Sequence, residues 1–452
     1  MITPPLQRGI DGRIDGKKSL STGINCKLLQ KIKCLTKLTI ADKIDAMPDL
    51  PSKMFPMLPT DPSGELADLA RDLLSRSSVL SGILHPKTQE GVVELVRIIN
   101  SYYSNLIEGN STHPVEIERA MHADYSQDPA RRNLQLESLA HISCQRAVEG
   151  LAAETPEAFD PTTAHFLSWV HDEFYKLIPD EMRWVTNEKT GEKVEVIGGK
   201  FRERDVEVGR HLPPGYASLP MFLARFHDAY QAETLHGLEP IIASAASHHR
   251  LVWIHPFLDG NGRVARLFSD AYLRSIPLPG YGLWNVSRGL ARGKDRYMEA
   301  LAVADAGRRN DLDGRGNLSN EGLIFFCKFF LLTCLDQVEY MTSMLSLDGL
   351  LGRILGYVKL RELKMAPAPL PDQYPALRVE AAHILQEVLL RGEMTRGQAA
   401  AACPSPRMGR DILAQLLAEG LLVSSSAKGP VRMGFPAHAA GRLFPDLFPM
   451  GA

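Results

Sequence analysis

The sequence predicts a mainly helical protein that carries one β-hairpin and ends in a small winged helix-turn-helix domain. Apolar residues recur at helical spacing through most of the segment from residue 62 to residue 347. Within it, Trp184–Thr186 and the segments that follow alternate as strands do, on either side of the turn Gly198-Gly199. After a proline-rich stretch, three short helical patterns precede two strand patterns, which is the order of elements in a winged helix-turn-helix.

Apolar spacing, capping residues and prolines predict where each element begins and ends. The helices of the main domain are expected at residues 62–75, 87–108, 114–124, 132–151, 161–178, 219–231, 240–254, 262–274, 294–306 and 320–347. Strands are expected at 184–186, 194–197 and 206–208. The C-terminal helices are expected at 379–391, 395–402 and 406–419, and the strands of the wing at 421–424 and 431–435.

The chain of 452 residues therefore divides into four parts. Residues 1–62 form an N-terminal extension that is basic and rich in Pro, Gly and Ser, and that we expect to be flexible; an alternative is that translation starts at Met47 or Met54. Residues 63–364 form the main domain, residues 365–375 a proline-rich linker, and residues 376–452 the winged helix-turn-helix domain.

Composition excludes some classes of protein. A net charge of −2 gives no global basic field for nucleic acid or membrane. Six scattered cysteines without paired CxxC spacing favour a reducing compartment and argue against a zinc framework. Since no apolar run approaches the length of a membrane span and no signal peptide is evident, we expect a cytoplasmic protein that does not contact a membrane.

The run from Ile254 to Arg266 concentrates polar residues and glycine directly after an apolar segment. His255 offers an imidazole that can accept a proton near neutral pH. Asp259 offers a hard carboxylate, which Mg²⁺ prefers beside phosphate oxygens. The turn Gly260-Asn261-Gly262 lets backbone N–H groups approach an anion closely and opens onto a helix N-terminus. These groups are suited to holding a polyphosphate and passing part of it to a hydroxyl.

The helix that follows carries two arginines three residues apart, Arg263 and Arg266. Both can lie near the N-terminal end of that helix and donate to phosphate oxygens. The stretch HPFLDGNGRVAR resembles the signature of the Fic-domain family, HPFx[D/E]GNGRxxR, at every defined position. Members of that family typically move AMP from ATP onto a protein hydroxyl, within a helical bundle that carries a β-hairpin flap.

The resemblance implies a role for each residue of the motif. His255 would deprotonate the target hydroxyl, and Asp259 would hold Mg²⁺. The Gly260–Gly262 turn, with Asn261, would bind phosphate. The remaining implied roles are a clamp on the β- and γ-phosphates by Arg263 and Arg266, and a buried anchor for the loop by Phe257.

A second stretch, Ser104 to Asn110 (SNLIEGN), resembles the inhibitory motif [S/T]xxxE[G/N] of the subclass that carries its brake before the Fic motif. Gly109 stands where a helix stops, so Glu108 falls in the last turn, where the helix dipole disfavours an acid. Glu108 therefore needs a cation, and Arg266 is the candidate. An arginine held in this way could not grip the γ-phosphate.

The hairpin and the sequence GKFRERDVEVGRHLPP after it resemble the family's flap, beside which a target segment adds a strand. The resemblance covers roughly residues 80 to 340. Tyr297, in a helix after the motif, either borders the adenine or packs in the core. His248 and His249 are expected to support the fold, because no carboxylate stands at zinc-site spacing.

The sequence therefore predicts an adenylyltransferase that uses Mg²⁺ and ATP, is restrained by Glu108, and modifies a Ser, Thr or Tyr hydroxyl of an unidentified protein, which could be the chain itself. One alternative is a DNA-binding regulator whose Fic domain senses nucleotide; another is an enzyme that removes AMP. In the winged domain, Arg407, Arg410, Lys428 and Arg432 form a modest basic set. DNA binding and a protein-contact role, such as homodimer formation, both remain open.

Overall fold

The computed structural model describes residues 38–41, 49–187, 190–366, 368 and 374–449. Most of the expected N-terminal extension, and residues 367 and 369–373 of the expected linker, lie outside these residues. The described chain is mainly helical, as the sequence predicts. Across these ranges, no helix combines the length and the apolar character needed to cross a membrane.

The main helices form close to the expected positions. Before the hairpin they are α1 (Glu65–Ser81), α2 (Pro86–Glu108), α3 (Pro114–Met121), α4 (Pro129–Glu154) and α5 (Ala164–Tyr175). After the hairpin they are α6 (Leu219–Tyr230), α7 (Glu239–Ile254), α8 (Asn261–Ser275), α9 (Val286–Arg292), α10 (Lys294–Ala304), α11 (Asn320–Leu345) and α12 (Leu347–Glu362). Proline at the first position and a capping side chain begin α2, α3 and α4, because the fixed φ of proline suits a helix start.

Two of these helices were not expected from the sequence. Helix α9 is only seven residues long, too short for a periodic apolar pattern to reveal it. Helix α12 was not expected either, because we expected α11 to continue to residue 347 and no helix to follow it. The chain instead turns at Ser346, whose ψ of 126° is not helical, and α12 starts at the next residue.

Helix α8, which carries the motif, lies in the middle of the bundle. It contacts α2, α4, α5 and α7, so side chains from four directions reach its N-terminal end. Helix α11 supports the opposite part of the core through α1, α7, α9 and α10. The arrangement brings residues separated by more than a hundred positions to one place.

The β-hairpin forms where it was expected. Strands β2 (Trp184–Thr186) and β3 (Lys193–Glu195) pair antiparallel, with Trp184 opposite Glu195. The third strand, β4 (Asp205–Val208), does not extend the hairpin but pairs with β1 (Leu38–Ala41). Strand β1 lies in the expected extension, and so short a strand is recognisable only through its distant partner.

Residues 49–62, which the sequence assigns to the N-terminal extension, pack on the main domain. Met54 is completely buried. The carbonyl of Pro56 accepts hydrogen bonds from Arg250 Nε and Nη2 at 3.1 and 2.8 Å, and the carbonyl of Met57 accepts one from Tyr230 Oη. These buried donors require acceptors, and this segment supplies them.

The C-terminal part contains α13 (Ala381–Arg391), β5 (Glu393–Met394), α14 (Arg396–Ala401), α15 (Pro406–Ala418), β6 (Leu422–Val423), β7 (Val431–Met433) and α16 (Ala437–Leu443). The strands form an antiparallel sheet in the order β5-β7-β6. Strand β5 and helix α16 were not expected, since each is only a few residues long.

The C-terminal part is packed on the rest of the chain. Thr88 Oγ1 on α2 donates to the carbonyl of Leu389 at 3.1 Å, and a Cβ on Gly91 would collide with the carbonyl of Met433. Arg361 on α12 forms a fully buried ion pair with Glu419 at 2.5 Å. The separate module expected beyond a linker is thus in close contact with α2 and α12.

Candidate active site

The motif forms a tight connection between the end of α7 and the start of α8. His255 ends α7 with φ 49° and ψ 62°, the left-handed backbone conformation that residues other than glycine rarely adopt. Gly260, with φ +78°, precedes α8, and a Cβ there would press on the ring of Tyr175 at 3.1 Å. The two backbone turns bring His255 and the N-terminus of α8 onto the same loop.

The side chain of Asn261 stabilises this loop from within. Its Oδ1 accepts from the Phe257 N–H at 2.9 Å, and its Nδ2 donates to the Phe257 carbonyl at 2.9 Å. Both ends of the amide are therefore hydrogen-bonded to the loop. The expectation that Asn261 binds phosphate is restricted to its backbone N–H, since its side chain is hydrogen-bonded to the loop.

His171 supports the loop from α5. Its ring stacks on Phe257 with centroids 4.0 Å apart and an interplanar angle of 5°. Nδ1 accepts from the Gly199 N–H at 2.8 Å, so Nε2 carries the proton and donates to the Asp259 carbonyl at 3.2 Å. His171 thus connects the hairpin region with the motif. No local sequence pattern identified it.

His255 presents a buried imidazole. Its exposed fraction is 4%, and neither ring nitrogen has a hydrogen-bond partner among the described residues. Burial, and then the positive charge of Arg202 and the nearby His211, lower the pKa of His255 to about 3. The ring is therefore neutral, which is the form able to accept a proton.

Asp259 lies at the mouth of the site, with a side chain 21% exposed. Its Oδ2 accepts a hydrogen bond from Tyr175 Oη at 3.3 Å and lies 3.5 Å from Arg263 Nη2. Among the residues the structure describes, no group of three or more His, Cys, Asp or Glu could hold a metal by itself. A single partly exposed carboxylate beside a phosphate site nevertheless fits Mg²⁺, which is usually held by one or two carboxylates and substrate phosphates.

Arg263 is held by an acid that the sequence did not point to. Its Nη1 pairs with Glu137 on α4, whose side chain is fully buried, and its guanidinium lies 5.3 Å from the ring centre of Phe174. Burial opposes the charge, but Glu137 and Asp259 outweigh it and raise the pKa of Arg263 above its ordinary value. Glu137 belongs to no motif, and only the packing of α4 against α8 brings it to the site.

Arg266 is bound by the last turn of α2. Its Nε donates to Ser104 Oγ at 2.9 Å, and its Nη2 donates to the Ser104 carbonyl at 3.0 Å and to Glu108 Oε1 at 2.6 Å. The side chain of Arg266 is only 2% exposed. The structure thus brings together the two residues that the sequence suggested as partners, Glu108 and Arg266.

Glu108 also lies against the first turn of α8. A Cβ on Gly262 would collide with Glu108 Oε1, so this glycine leaves the space that the carboxylate fills. Burial disfavours the charged form of Glu108, but Arg266 and Arg263 outweigh it and lower the pKa of the carboxyl. An ionised carboxylate therefore lies at the N-terminus of α8, a position that favours anions.

The residues after Glu108 shape the end of α2. Gly109 has φ +97°, and the Asn110 N–H donates to the Asn105 carbonyl at 2.9 Å, which closes the helix. Asn110 Nδ2 donates to Glu137 Oε2 at 2.7 Å, so one acid joins this turn to Arg263. Lys294 Nζ caps the Ile107 carbonyl at 2.5 Å.

Tyr297 is buried behind the site, next to His248. It is 2% exposed, and its hydroxyl lies 2.7 Å from His248 Nε2, while His248 Nδ1 lies 2.7 Å from Ser269 Oγ. Of the two positions that the sequence left open for Tyr297, beside the adenine or in the core, the buried ring and its contact with His248 favour the core. His248 supports the fold, as expected.

The C-terminal basic residues lie on other elements. Arg407 and Arg410 are exposed on α15, and Lys428 is exposed between β6 and β7. Arg432 pairs with Glu90 on α2 and therefore does not contribute a free charge to the basic set expected from the sequence.

The fold and the motif together define a helical domain in which a glycine-bracketed turn at a helix N-terminus lies beside a buried imidazole. Residues 161–273 match the model of the Fic/DOC family, and the chain therefore contains a Fic/DOC family domain. A protein adenylyltransferase Fic from Drosophila willistoni is 43% identical over 84 residues, which are 19% of this chain and 17% of that protein. One from Culex quinquefasciatus is 37% identical over 112 residues, or 25% of this chain and 21% of that protein.

The chain thus spans about a fifth or less of the length of these curated relatives. Two solved structures are also similar to it. A Fic family protein from Desulfovibrio desulfuricans G20 is 18% identical with a TM-score of 0.47, covering 83% of this chain and 98% of that one. Fic-1 from C. elegans is 16% identical with a TM-score of 0.47, covering 62% of this chain and 73% of that one.

Proposed function

We propose that this chain is a protein adenylyltransferase, which transfers AMP from ATP to a Ser, Thr or Tyr hydroxyl of a protein. The observation that carries the proposal is the buried, neutral imidazole of His255 on the same short loop as the N-terminus of α8. The similarity to adenylyltransferase relatives over the Fic region supports it.

In this proposal, the target hydroxyl oxygen attacks the α-phosphorus of ATP. A bond forms between that oxygen and the α-phosphorus, the bond from the α-phosphorus to the bridging oxygen breaks, and pyrophosphate leaves. One of the unpartnered ring nitrogens of His255 takes the hydroxyl proton. Backbone N–H groups of the Gly260–Gly262 turn bind phosphate oxygens, and Arg263 supplies positive charge beside them.

Asp259 is the residue that would hold Mg²⁺. The ion would neutralise charge on the phosphates as pyrophosphate departs. Tyr175 and Arg263 position the carboxylate of Asp259 at the mouth of the site through the contacts at 3.3 and 3.5 Å.

We further propose that Glu108 keeps the enzyme inhibited. Its carboxylate occupies the space beside Gly262 and engages Arg266, so the arginine is not available to the γ-phosphate. Removing the carboxylate would free both the space and the arginine, and ATP could then bind in the reactive position.

Incubation with labelled ATP tests the proposal. The chain, its Glu108→Gly variant and the double variant Glu108→Gly/His255→Ala are compared for label on the chain itself and for the mass of an added AMP. We expect label on Glu108→Gly and none on the double variant. Absence of AMP from every variant, with or without an added protein extract, would contradict transferase activity.

For the C-terminal part, we propose a winged helix-turn-helix, with α14 and α15 as the helical pair and β6–β7 as the wing. The exposed Arg407 and Arg410 on α15 favour DNA contact as an additional function. The close packing on α2 favours a role within the chain, and both roles are tested below.

A further inference from the structure

Arg202 carries a buried positive charge that the proposed reaction does not use. Its side chain is completely buried, in the segment between β3 and β4. Nε donates to the His255 carbonyl at 2.8 Å and Nη1 to the Arg204 carbonyl at 3.0 Å, and Nη2 donates to the Pro214 carbonyl. The carboxylate of Asp205 lies 3.7 Å from Nη1, beyond hydrogen-bond distance.

Burying a guanidinium that makes no hydrogen bond to a carboxylate costs stability, and a carboxylate at 3.7 Å offsets only part of that cost. Burial, only partly offset by Asp205, lowers the pKa of Arg202 to about 10. The guanidinium nevertheless satisfies carbonyl groups from three separate points of the chain. One of those groups belongs to His255.

The loop that Arg202 contacts is strained. His255 adopts a left-handed backbone conformation, which is unfavourable for a residue with a Cβ and persists only when the surroundings hold it. Arg202 binds this loop at two points: its side chain donates to the His255 carbonyl, and its backbone N–H donates to the Pro256 carbonyl at 2.9 Å. Two consecutive carbonyls of the loop are therefore fixed by one residue.

We propose that Arg202 is a positioning residue for His255: it fixes the backbone conformation that aims the imidazole at the target hydroxyl. The inference rests on the proposed transferase function. Arg202 touches neither the Gly260–Gly262 turn nor Arg263 in the contacts of the described residues, so its role concerns the rate of transfer and not the binding of ATP.

The test uses the Glu108→Gly chain as the parent, and Arg202→Met and Arg202→Lys as variants of it. Arg183→Met is the matched control, because Arg183 also binds two carbonyls beside the hairpin, those of Ile178 and Tyr175, at 2.9 and 3.0 Å. We expect Arg202→Met to lower kcat about tenfold or more and to change the KM for ATP by less than about twofold. Arg183→Met should keep a kcat close to the parent's.

Arg202→Lys keeps the charge but cannot reach three carbonyls with one ammonium, so we expect a smaller decrease in kcat, again at an unchanged KM. If Arg202→Met does not fold, this variant decides the matter. Equal losses in Arg202→Met and Arg183→Met, or a higher KM at unchanged kcat, would overturn the proposal. An inactive parent would instead refute the transferase function itself.

A separate observation concerns residues 446–449, here called the C-terminal strap. Tyr103 Oη on α2 donates to the Leu447 carbonyl at 3.0 Å. Arg288 on α9 donates to the same carbonyl at 3.2 Å and to the Asp446 carbonyl at 2.6 Å. Leu447 and Phe448 are 2% and 4% exposed, so the strap is packed firmly on the helix that ends in Glu108.

Tyr103 directly precedes Ser104, whose hydroxyl and carbonyl both bind Arg266. The strap therefore fixes α2 one residue away from the contact proposed to inhibit the enzyme. We infer that the strap holds α2 in its inhibitory position, an inference that rests on the proposed role of Glu108.

The test is the double variant Leu447→Ala/Phe448→Ala in the full chain, made with Glu108 intact and with Glu108→Gly. We expect AMP incorporation to rise about threefold or more with Glu108 intact, and no further rise with Glu108→Gly, because the brake is already absent. Tyr103→Phe, which removes one hydrogen bond, should give a smaller rise in the same direction.

No rise with Glu108 intact, or the same fold-change in both backgrounds, would overturn the role of the strap. Absence of activity from the Glu108→Gly chain would instead contradict the transferase proposal. The comparison of the two backgrounds therefore separates a failure of the strap inference from a failure of the transferase proposal.

Discussion

Glu108 Oε1 and Arg266 Nη2 lie 2.6 Å apart, although 158 residues separate them in the sequence. The carboxylate of Glu108 lies against the first turn of α8, where Gly262 leaves room for it. A bound carboxylate and a bound phosphate would compete for the same helix end, because both are anions that seek the same donors. The inhibitory proposal therefore predicts that the Glu108 carboxylate competes with the phosphates of ATP for the N-terminus of α8.

Replacing Glu108 by Gly should raise self-modification by about tenfold or more, since this corresponds to only about 1.4 kcal/mol of barrier. The variant Glu108→Gln is the matched control: it keeps the size of the side chain and an acceptor oxygen but loses the charge. We expect it to be intermediate. Equal incorporation of labelled AMP by all three chains would show that Glu108 does not inhibit the enzyme.

Replacing His255 by Ala in the Glu108→Gly chain should abolish AMP transfer while the protein stays folded. The imidazole makes no hydrogen bond to the described residues, so its removal breaks none. Thermal unfolding followed by circular dichroism checks the fold, and labelled ATP checks transfer. Transfer close to that of the parent would show that His255 is not the base.

Replacing Glu137 by Gln should lower the free energy of unfolding by about 3 kcal/mol or more, because Arg263 would be left buried without its main partner. Glu173→Gln is the control, since Glu173 pairs with an exposed lysine, Lys176, and solvent screens the attraction in such a pair. Urea unfolding of both variants measures the difference. Similar losses would mean that the buried pair of Glu137 and Arg263 stabilises the fold no more than the exposed pair does.

Replacing Asp259 by Ala should reduce Mg²⁺-dependent turnover much more than it reduces nucleotide binding, because the phosphate contacts proposed for Arg263 and the backbone N–H groups remain. Turnover over a range of Mg²⁺ concentrations and binding of a non-hydrolysable ATP analogue provide the two measurements. Unchanged turnover at low Mg²⁺ would assign Asp259 to the structure of the loop.

If the C-terminal domain binds DNA, affinity should fall steeply with salt. Arg407, Arg410 and Lys428 are exposed, whereas Arg432 is paired with Glu90, so three contacts remain and the log–log slope should be about −3. Titration of the full chain with random duplex DNA at two salt concentrations measures the slope. The double variant Arg407→Ala/Arg410→Ala should have a slope of smaller magnitude. Absence of binding at low salt would favour a role in protein contacts alone.

Local features of the fold could be predicted from the sequence alone. The helix starts at Pro86, Pro114 and Pro129 follow from proline and capping residues, which act within one turn. The long helices and the hairpin at Trp184–Thr186 follow from apolar periodicity. These signals need only neighbours along the chain, and so they survive in a single sequence.

The sequence also brought the main candidate residues into view, because the motif around His255 and the turn after Glu108 are continuous stretches. Their geometry could be anticipated where glycine allows a positive φ, as at Gly109 and Gly260. The pairing of Glu108 with Arg266 could be suggested because an acid at a helix C-terminus requires a cation.

Only the tertiary structure decided the rest. Glu137, His171 and Arg202 support the motif from α4, from α5 and from the segment after the hairpin, and no local pattern announces them. The sequence left two positions open for Tyr297, because helical spacing does not say whether a buried ring faces a cavity or the core. The sequence by itself determined the long helices and the hairpin and pointed to the motif residues proposed for the chemistry, since those depend on local conformation and residue type. Which distant charges meet, and which segments cover them, depends on how the helices pack, because a buried ion or a strained loop is stabilised only by partners that the fold delivers.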